Sequence, residues 1–407
     1  MMEGLSESDL QWLEDYIKSQ ENINSTSKDR QNGAAFSFGL NFQEFHDTEI
    51  SLPVFGYVTP ILCLVVLVTN VLFVVVFSKL KMNSPTHFVL RCIAIVDTLT
   101  ILLPTPMYVY VYSLMNYRDF ISFEVCYIWE YMTVFLPTIT HTASIWLTTL
   151  LALQRYICVS YPLNVRLWCG IKRTYIFAFF IFILAIGCHL SRFFEYKYTR
   201  TSVQSLLDPN QEITTCFRTP SDFVDEVYVV AYSWVRAIAV NIIPCVAMIV
   251  FSTIMLVRIR VAEKRRHTIR RRSTFGSGEN EPRDSRLTTW LVILIVNSVC
   301  IVEMPIAAYY VMVATNLTTG ENLISANSHT IEIVLNLLVQ VSYPIHFVLY
   351  CTMSEGFRLT LVAMFLNKWR KLRQIICKED EDKSGRTSRS ISVVSSVDTR
   401  SVIFNTI

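Results

Sequence analysis

Charge is scarce in this 407-residue chain: 17% of residues are charged and 52% are hydrophobic. A soluble domain carries roughly 25% charged residues, so the two or three soluble domains that the length would allow are excluded. Metal-ligand spacing is also missing. The eleven cysteines include no C-x-x-C pair. Most of them lie in apolar runs, where cysteine behaves as a small hydrophobe. The first residues, MMEGLSESDLQW, are acidic and lack the apolar stretch of a cleavable signal peptide. The first apolar run is therefore expected to act as the insertion signal. No nucleophile–base constellation is visible, which speaks against an enzyme. Internal repeats with paired broken helices, the mark of many transporters, are not found either.

Long apolar runs are what the chain has. Seven qualify as spans: Val54–Ser78, Phe88–Ser113, Val125–Val159, Thr174–Arg192, Val227–Val257, Leu287–Thr315 and Thr330–Met353. About 18 apolar residues suffice to cross a bilayer core of about 30 Å. Within lipid each run must satisfy its own backbone, so each must be helical. The expected fold is an all-α membrane protein, a seven-transmembrane helix bundle. The third run is too long for one upright crossing and should tilt or project. Pro104, Pro106, Pro137, Pro244, Pro305 and Pro344 fall inside spans. They suggest helices kinked around a cavity, or kinks that serve packing alone.

Net charge is only +3, but its distribution is uneven. The loops after spans one, three and five carry Lys79, Lys81, Arg166, Lys172, Arg173 and a basic run from Arg258 to Arg286. The opposite loops hold only Arg118, Lys197, Arg200 and Arg218. By the positive-inside rule the basic loops are cytoplasmic and the N-terminus is extracellular. Sequons at Asn24 and Asn316 fall on the expected outer side, as glycosylation acceptors must. Residues 1–53 read as an extracellular tail with a short amphipathic stretch at Ser6–Lys18, 54–353 as the bundle, and 354–367 as an amphipathic helix on the inner membrane surface. Lys368, Arg370, Lys371 and Arg373 follow and suit anionic membrane lipid. Residues 368–407 read as a disordered cytoplasmic tail, Ser/Thr-rich and open to phosphorylation, with Cys377 either palmitoylated or a free thiol.

Charges within a membrane are costly and need a reason. Asp97 lies in span two, Glu130, His141 and Arg155 in span three, Arg236 in span five and Glu303 in span six. Either they pair to fix the packing or they line a hydrated interior. Cys126 and Cys216 are the clearest pair on the outer side, where disulfides persist, with Cys188 as a competitor.

In order along the chain, Asn70, Asp97, Cys126 with Cys216, Gln154-Arg155-Tyr156, Pro244, Pro305, Pro344 and Phe357-Arg358 resemble the motifs of rhodopsin-like (class A) G-protein-coupled receptors. Each motif alone is weak, but their order over residues 54–367 is specific. HTASIWLTTLLALQRYICV (141–159), RLWCG (166–170), SRFFE (191–195), VEMPIAA (302–308) and SYPIHFVLYCTMSEGFR (342–358) are most similar to the invertebrate sex peptide and myoinhibitory peptide receptor group. Myosuppressin and FMRFamide-type receptors look more distant. The resemblance implies an amidated neuropeptide ligand, a heterotrimeric G protein of the Gi/o type, arrestin and receptor kinases at the tail, and a plasma-membrane location. It implies no cofactor, metal or nucleic acid.

The departures from the class pattern are specific. Gln154 stands where an acid usually precedes Arg155, and an amide would hold the guanidinium less strongly. Asp284 is a possible substitute. Glu303 stands where span six usually has Trp, and Tyr343-Pro344-Ile345-His346-Phe347 replaces N-P-x-x-Y. These changes put the usual sodium pocket and tyrosine switch in doubt. The expected ligand contacts are Tyr108, Glu130, Tyr131, Glu195, Tyr232, Arg236 and Tyr309. The expected switch and coupling residues are Asp97, Gln154, Arg155, Tyr156, Glu303, Pro305, Tyr343 and Pro344. A chemosensory or constitutively active receptor without a peptide ligand, and less strongly a transporter, stand as alternatives.

Overall fold

The computed structural model describes residues 38–39, 48–79, 84–208, 210–272, 283–319 and 328–366. Asn24, Ser6–Lys18, Cys377 and the Ser/Thr-rich tail lie outside them. The chain divides into two compact units, Met1–Phe357 and Arg358–Ile407. In the second, residues 358–366 are helical, with Leu359, Val362, Phe365 and Leu366 exposed.

The first unit holds seven helices long and apolar enough to cross a membrane: Glu49–Lys79, Pro85–Ser113, Phe123–Ser160, Ile171–Phe194, Glu226–Arg265, Thr289–Thr319 and His329–Met353. They are spans one to seven of a multi-pass membrane protein. Span three, at 38 residues, is about 57 Å long at 1.5 Å per residue and must tilt or project beyond the bilayer core. Most of the helices overrun the apolar runs, though spans two and seven end where those runs end, at Ser113 and Met353. Helix continues after span five to Arg272 and begins before span six at Arg283, so much of the expected basic loop is helical. Arg and Lys are good helix formers once outside lipid, and hydropathy cannot register that continuation.

The outward faces are apolar. Ile61, Leu64 and Val68 of span one and Phe179 and Phe180 of span four are exposed, as lipid-facing positions should be. Small and apolar residues such as Val66, Ala143, Leu147 and Ala185 fill the contacts between helices.

Four spans contain a π-helical turn near the same end of the bundle: Leu52–Val58, Val109–Ser113, Tyr131–Phe135 and Arg236–Ile242. Span seven breaks at Tyr343-Pro344 into Ser328–Ser342 and Ile345–Met353. Proline supplies no N–H there, and the helix restarts with Val348 N donating to Pro344 O.

A three-stranded antiparallel sheet lies at the end of the π turns, which we call the hairpin end. Strands β1 (Phe38–Gly39), β2 (Tyr196–Gln204) and β3 (Glu212–Pro220) lie in the order β1-β3-β2. In the hairpin Tyr196 faces Pro220 and Gln204 faces Glu212. Asp119, in the connection after span two, clamps the hairpin tip. Its carboxylate accepts from Ser205 Oγ, from Leu206 N at 3.0 Å and from Phe120 N at 2.8 Å. Partial desolvation pushes the Asp119 carboxyl upward, but these donors outweigh it and hold the group below its ordinary value.

Cys126 of span three and Cys216 of β3 form a disulfide with Cα atoms 6.4 Å apart. Cys188 is a free thiol in span four. The bridge crosses 90 residues of sequence and is fully buried beneath β3. Replacing Cys126 and Cys216 together by Ala should sharply lower surface delivery of folded protein, measured by surface biotinylation. Undiminished delivery would show that the hairpin docks without the bridge.

Candidate functional site

A cavity of about 570 Å³ opens among the spans at the hairpin end. That volume lies within the roughly 300–1,000 Å³ typical of ligand sites. Every span and both hairpin strands contribute to its wall, for example Phe55, Tyr108, Glu130, Arg192, Arg236, Tyr309 and Glu332, with Tyr196 and Arg218 from the hairpin. An aromatic cluster closes one side: Phe55 stacks on Tyr108 at 4.5 Å, and Trp129 meets Tyr108 edge-on at 5.9 Å.

Charged groups at the rim are paired. Arg218 Nη1 donates to Glu130 Oε2 at 3.3 Å and lies over the Tyr196 ring at 4.2 Å. Arg192 meets Glu195 at 3.3 Å, and the Tyr228 hydroxyl donates to the same carboxylate at 2.9 Å. The first contact ties the hairpin to span three, and the others tie Glu195, the residue before β2, to spans four and five.

Of the seven expected ligand contacts, Tyr108, Glu130, Arg236 and Tyr309 line the cavity. Tyr131 instead lines a shallow depression with Phe193 and Phe223. Glu195 is buried and held by Arg192 and Tyr228. Tyr232 is engaged through His189. Thr142 Oγ1 donates to Thr138 O, so it must accept from His189 Nε2 at 2.8 Å. His189 Nδ1 in turn hydrogen-bonds the Tyr232 hydroxyl at 2.9 Å. Spans three, four and five are thus joined by one imidazole. Sequence reasoning missed Arg192 and Glu332 as wall residues. Helical spacing alone does not say which face of a span turns inward.

At the cavity floor, which His141 and Tyr343 line, and beneath it, acidic groups within the spans meet histidines. His141 Nε2 lies 3.4 Å from Glu303 Oε1, linking span three to span six. Asp97 accepts from Ser144 and lies 3.7 Å from His346 Nδ1, linking spans two, three and seven. Asn70 donates to Thr98 at 3.1 Å. Tyr343 is buried against Val302, Ile306 and Cys63, and Pro305 lies within the span-six helix.

At the opposite end Gln154 Nε2 donates to Thr174 Oγ1 at 3.0 Å, joining span three to span four. Gln154 therefore does not restrain Arg155. Arg155 is half-buried, and its Nε has no acceptor among the described residues. Tyr156 stacks on Phe251 of span five at 5.3 Å. Asn316 lies in the last turns of the span-six helix, half-buried.

Fold and cavity together define a multi-pass membrane protein with a ligand-sized space at one end of its bundle. Residues 57–368 match the family described as serpentine type 7TM GPCR chemoreceptor Srw. The sex peptide receptor of Drosophila melanogaster is 30% identical over 326 residues, 79% of this chain and 74% of that protein. Sex peptide receptor-related protein 2 of Caenorhabditis elegans is 29% identical over 336 residues, covering 80% and 74% respectively. The FMRFamide receptor of Drosophila melanogaster is 22% identical over 304 residues, 74% of this chain and 51% of that one. The chain belongs to the serpentine seven-transmembrane G-protein-coupled receptors, a family of receptors and not of enzymes.

Proposed function

We propose that this receptor sits in the plasma membrane with its N-terminus and hairpin outside, binds an extracellular amidated neuropeptide, and signals through a Gi/o-type heterotrimeric G protein. The observation that carries the reading is the cavity. It is formed by all seven spans, rich in aromatic and charged side chains, and capped by a disulfide-bonded hairpin. Two relatives named for sex peptide and one named for FMRFamide support a peptide rather than a small metabolite. The Cys126–Cys216 bridge supports an oxidising, extracellular hairpin end. Arrestin and receptor kinases at the phosphorylatable tail, glycans at Asn24 and Asn316, and inner-leaflet lipid at 354–373 complete the proposal.

A ligand shifts the bundle only by preferring one of its states. Tyr108, Glu130, Arg236 and Tyr309 are the contacts proposed in the cavity, with Tyr131, Glu195 and Tyr232 supporting its mouth. Binding there biases spans five and six, which carry Pro244 and Pro305, toward an arrangement in which Arg155 meets the G protein. The test is a cell-based G-protein assay against a library of amidated invertebrate peptides and their free-acid forms, with and without pertussis toxin. A toxin-sensitive response confined to amidated peptides supports the whole reading; silence to every peptide overturns it. The family's chemoreceptor description favours a second reading, a chemosensory receptor, which would respond to small molecules alone. Glu130→Gln should lower peptide potency about tenfold, about 1.4 kcal/mol, by releasing Arg218 and the hairpin. An unchanged dose–response would remove Glu130 from the site.

A further inference from the structure

The ion pairs divide the charged wall of the cavity into two sets. Glu130 is matched by Arg218, Arg192 by Glu195 and His141 by Glu303. Arg236 of span five and Glu332 of span seven also line the cavity, and neither has an ion-pair partner among the described residues. Both are nevertheless held in place, each by a tyrosine of span six. The Arg236 guanidinium lies over the Tyr310 ring at 4.1 Å, and the Tyr309 hydroxyl donates to Glu332 Oε1 at 2.8 Å. The two tyrosines are consecutive, with ring centroids 5.5 Å apart. One Tyr-Tyr step therefore sets a cation toward span five and a carboxylate toward span seven.

A charge at membrane depth is costly unless it is matched. A tyrosine orients such a group without neutralising it. The aromatic face caps one side of the guanidinium, and the phenol occupies one carboxylate oxygen. Both groups line the open cavity. Glu130 and Glu195, the acids the sequence suggests for a basic ligand group, each already have an arginine partner, Arg218 and Arg192.

Resting on the peptide reading above, we propose that Arg236 and Glu332 are the two poles of the recognition site. Glu332 takes a cationic group of the peptide, an Arg or Lys side chain or the N-terminal ammonium. Arg236 takes a neutral oxygen acceptor, a backbone or terminal amide carbonyl. The pole separation sets which peptides fit, since both groups must be met at once.

The probe is a positional-scanning library of amidated hexapeptides. At each position the fixed residue is Arg, its uncharged isostere citrulline, or Glu. G-protein activation is read in cells expressing wild type, Glu332→Gln or Glu332→Lys at matched surface level. At one or more positions, wild type is expected to prefer Arg over citrulline at least tenfold. Glu332→Gln should erase that preference, and Glu332→Lys should move it to Glu. Tyr309→Phe frees the carboxylate without removing it and should weaken the Arg preference, which serves if the charge variants fail to reach the surface. Arg236→Gln should lower potency for all three mixtures alike. A wild-type response with no charge preference, or a preference that survives in the Glu332 variants or, where those are not delivered, in Tyr309→Phe, overturns the two-pole proposal alone. Silence of wild type to every mixture overturns the peptide reading beneath it.

Discussion

An Arg155→Glu receptor is expected to reach the cell surface in normal amounts and to give no G-protein response. The side chain is poised at the end of the bundle opposite the cavity, half-buried in span three. Its neighbour Gln154 is turned away and bonded to Thr174 of span four. The Arg155 Nε and the hydroxyl of buried Tyr350 both lack a partner among the described residues. A buried donor left unmatched costs about 1–3 kcal/mol, more for a charged group. An incoming acceptor that relieves this cost is favoured, and a G-protein segment docking between spans three, five and six would supply one. Charge reversal replaces the donor with a repelling acceptor. Surface biotinylation together with a nucleotide-exchange assay separates the two effects. Normal exchange at normal surface level would exclude Arg155 from coupling.

The second large effect is expected in the opposite direction. Glu303→Gln should raise ligand-free signalling about tenfold, because the His141–Glu303 pair joins span three to span six two residues before Pro305. Breaking a buried ion pair by removing one partner typically costs about 3–5 kcal/mol. What matters here is how much of that differs between the two arrangements of the bundle. A difference of about 1.4 kcal/mol suffices for the tenfold change. His141→Phe should act in the same direction, and the swap His141→Glu with Glu303→His should restore low basal output. Basal output unchanged in all three, at matched surface level, would show that the pair serves packing alone.

The seven spans were legible in the sequence because lipid allows only helices, and a helix in lipid must be apolar. The overrun of spans five and six was not, because Arg258–Arg272 is charged and hydropathy stops at the membrane edge. The hairpin left a signal that went unread. Tyr196, Tyr198, Thr199, Thr201 and Val203 are strand formers, and Asp208-Pro209-Asn210 is a turn sequence. The polar residues within spans were recognisable as unusual, yet their partners were not. Whether Gln154 meets Arg155 or Thr174 depends on the rotation of span three against span four, and hydropathy carries no such phase. The same limit hid Glu332, which lies on a helix whose inward face is set only by packing. The Cys126–Cys216 pairing was legible because few cysteines share that face of the membrane.

The π turns in spans one, two, three and five have an evolutionary consequence. A π turn holds one extra residue within a helical turn, so an insertion there re-faces the residues on one side while those on the other keep their phase. Each of the four contributes to the cavity wall, through Phe55, Tyr112, Thr133 and Arg236 respectively. Single insertions or deletions at these turns can therefore change which residues face the cavity there while Asp97, His141 and Arg155, further along the same helices, keep their phase. Descendants of one such gene could change what they detect while inheriting the signalling half unaltered, and gap-free residue counting from Arg155 toward the hairpin would lose register among them.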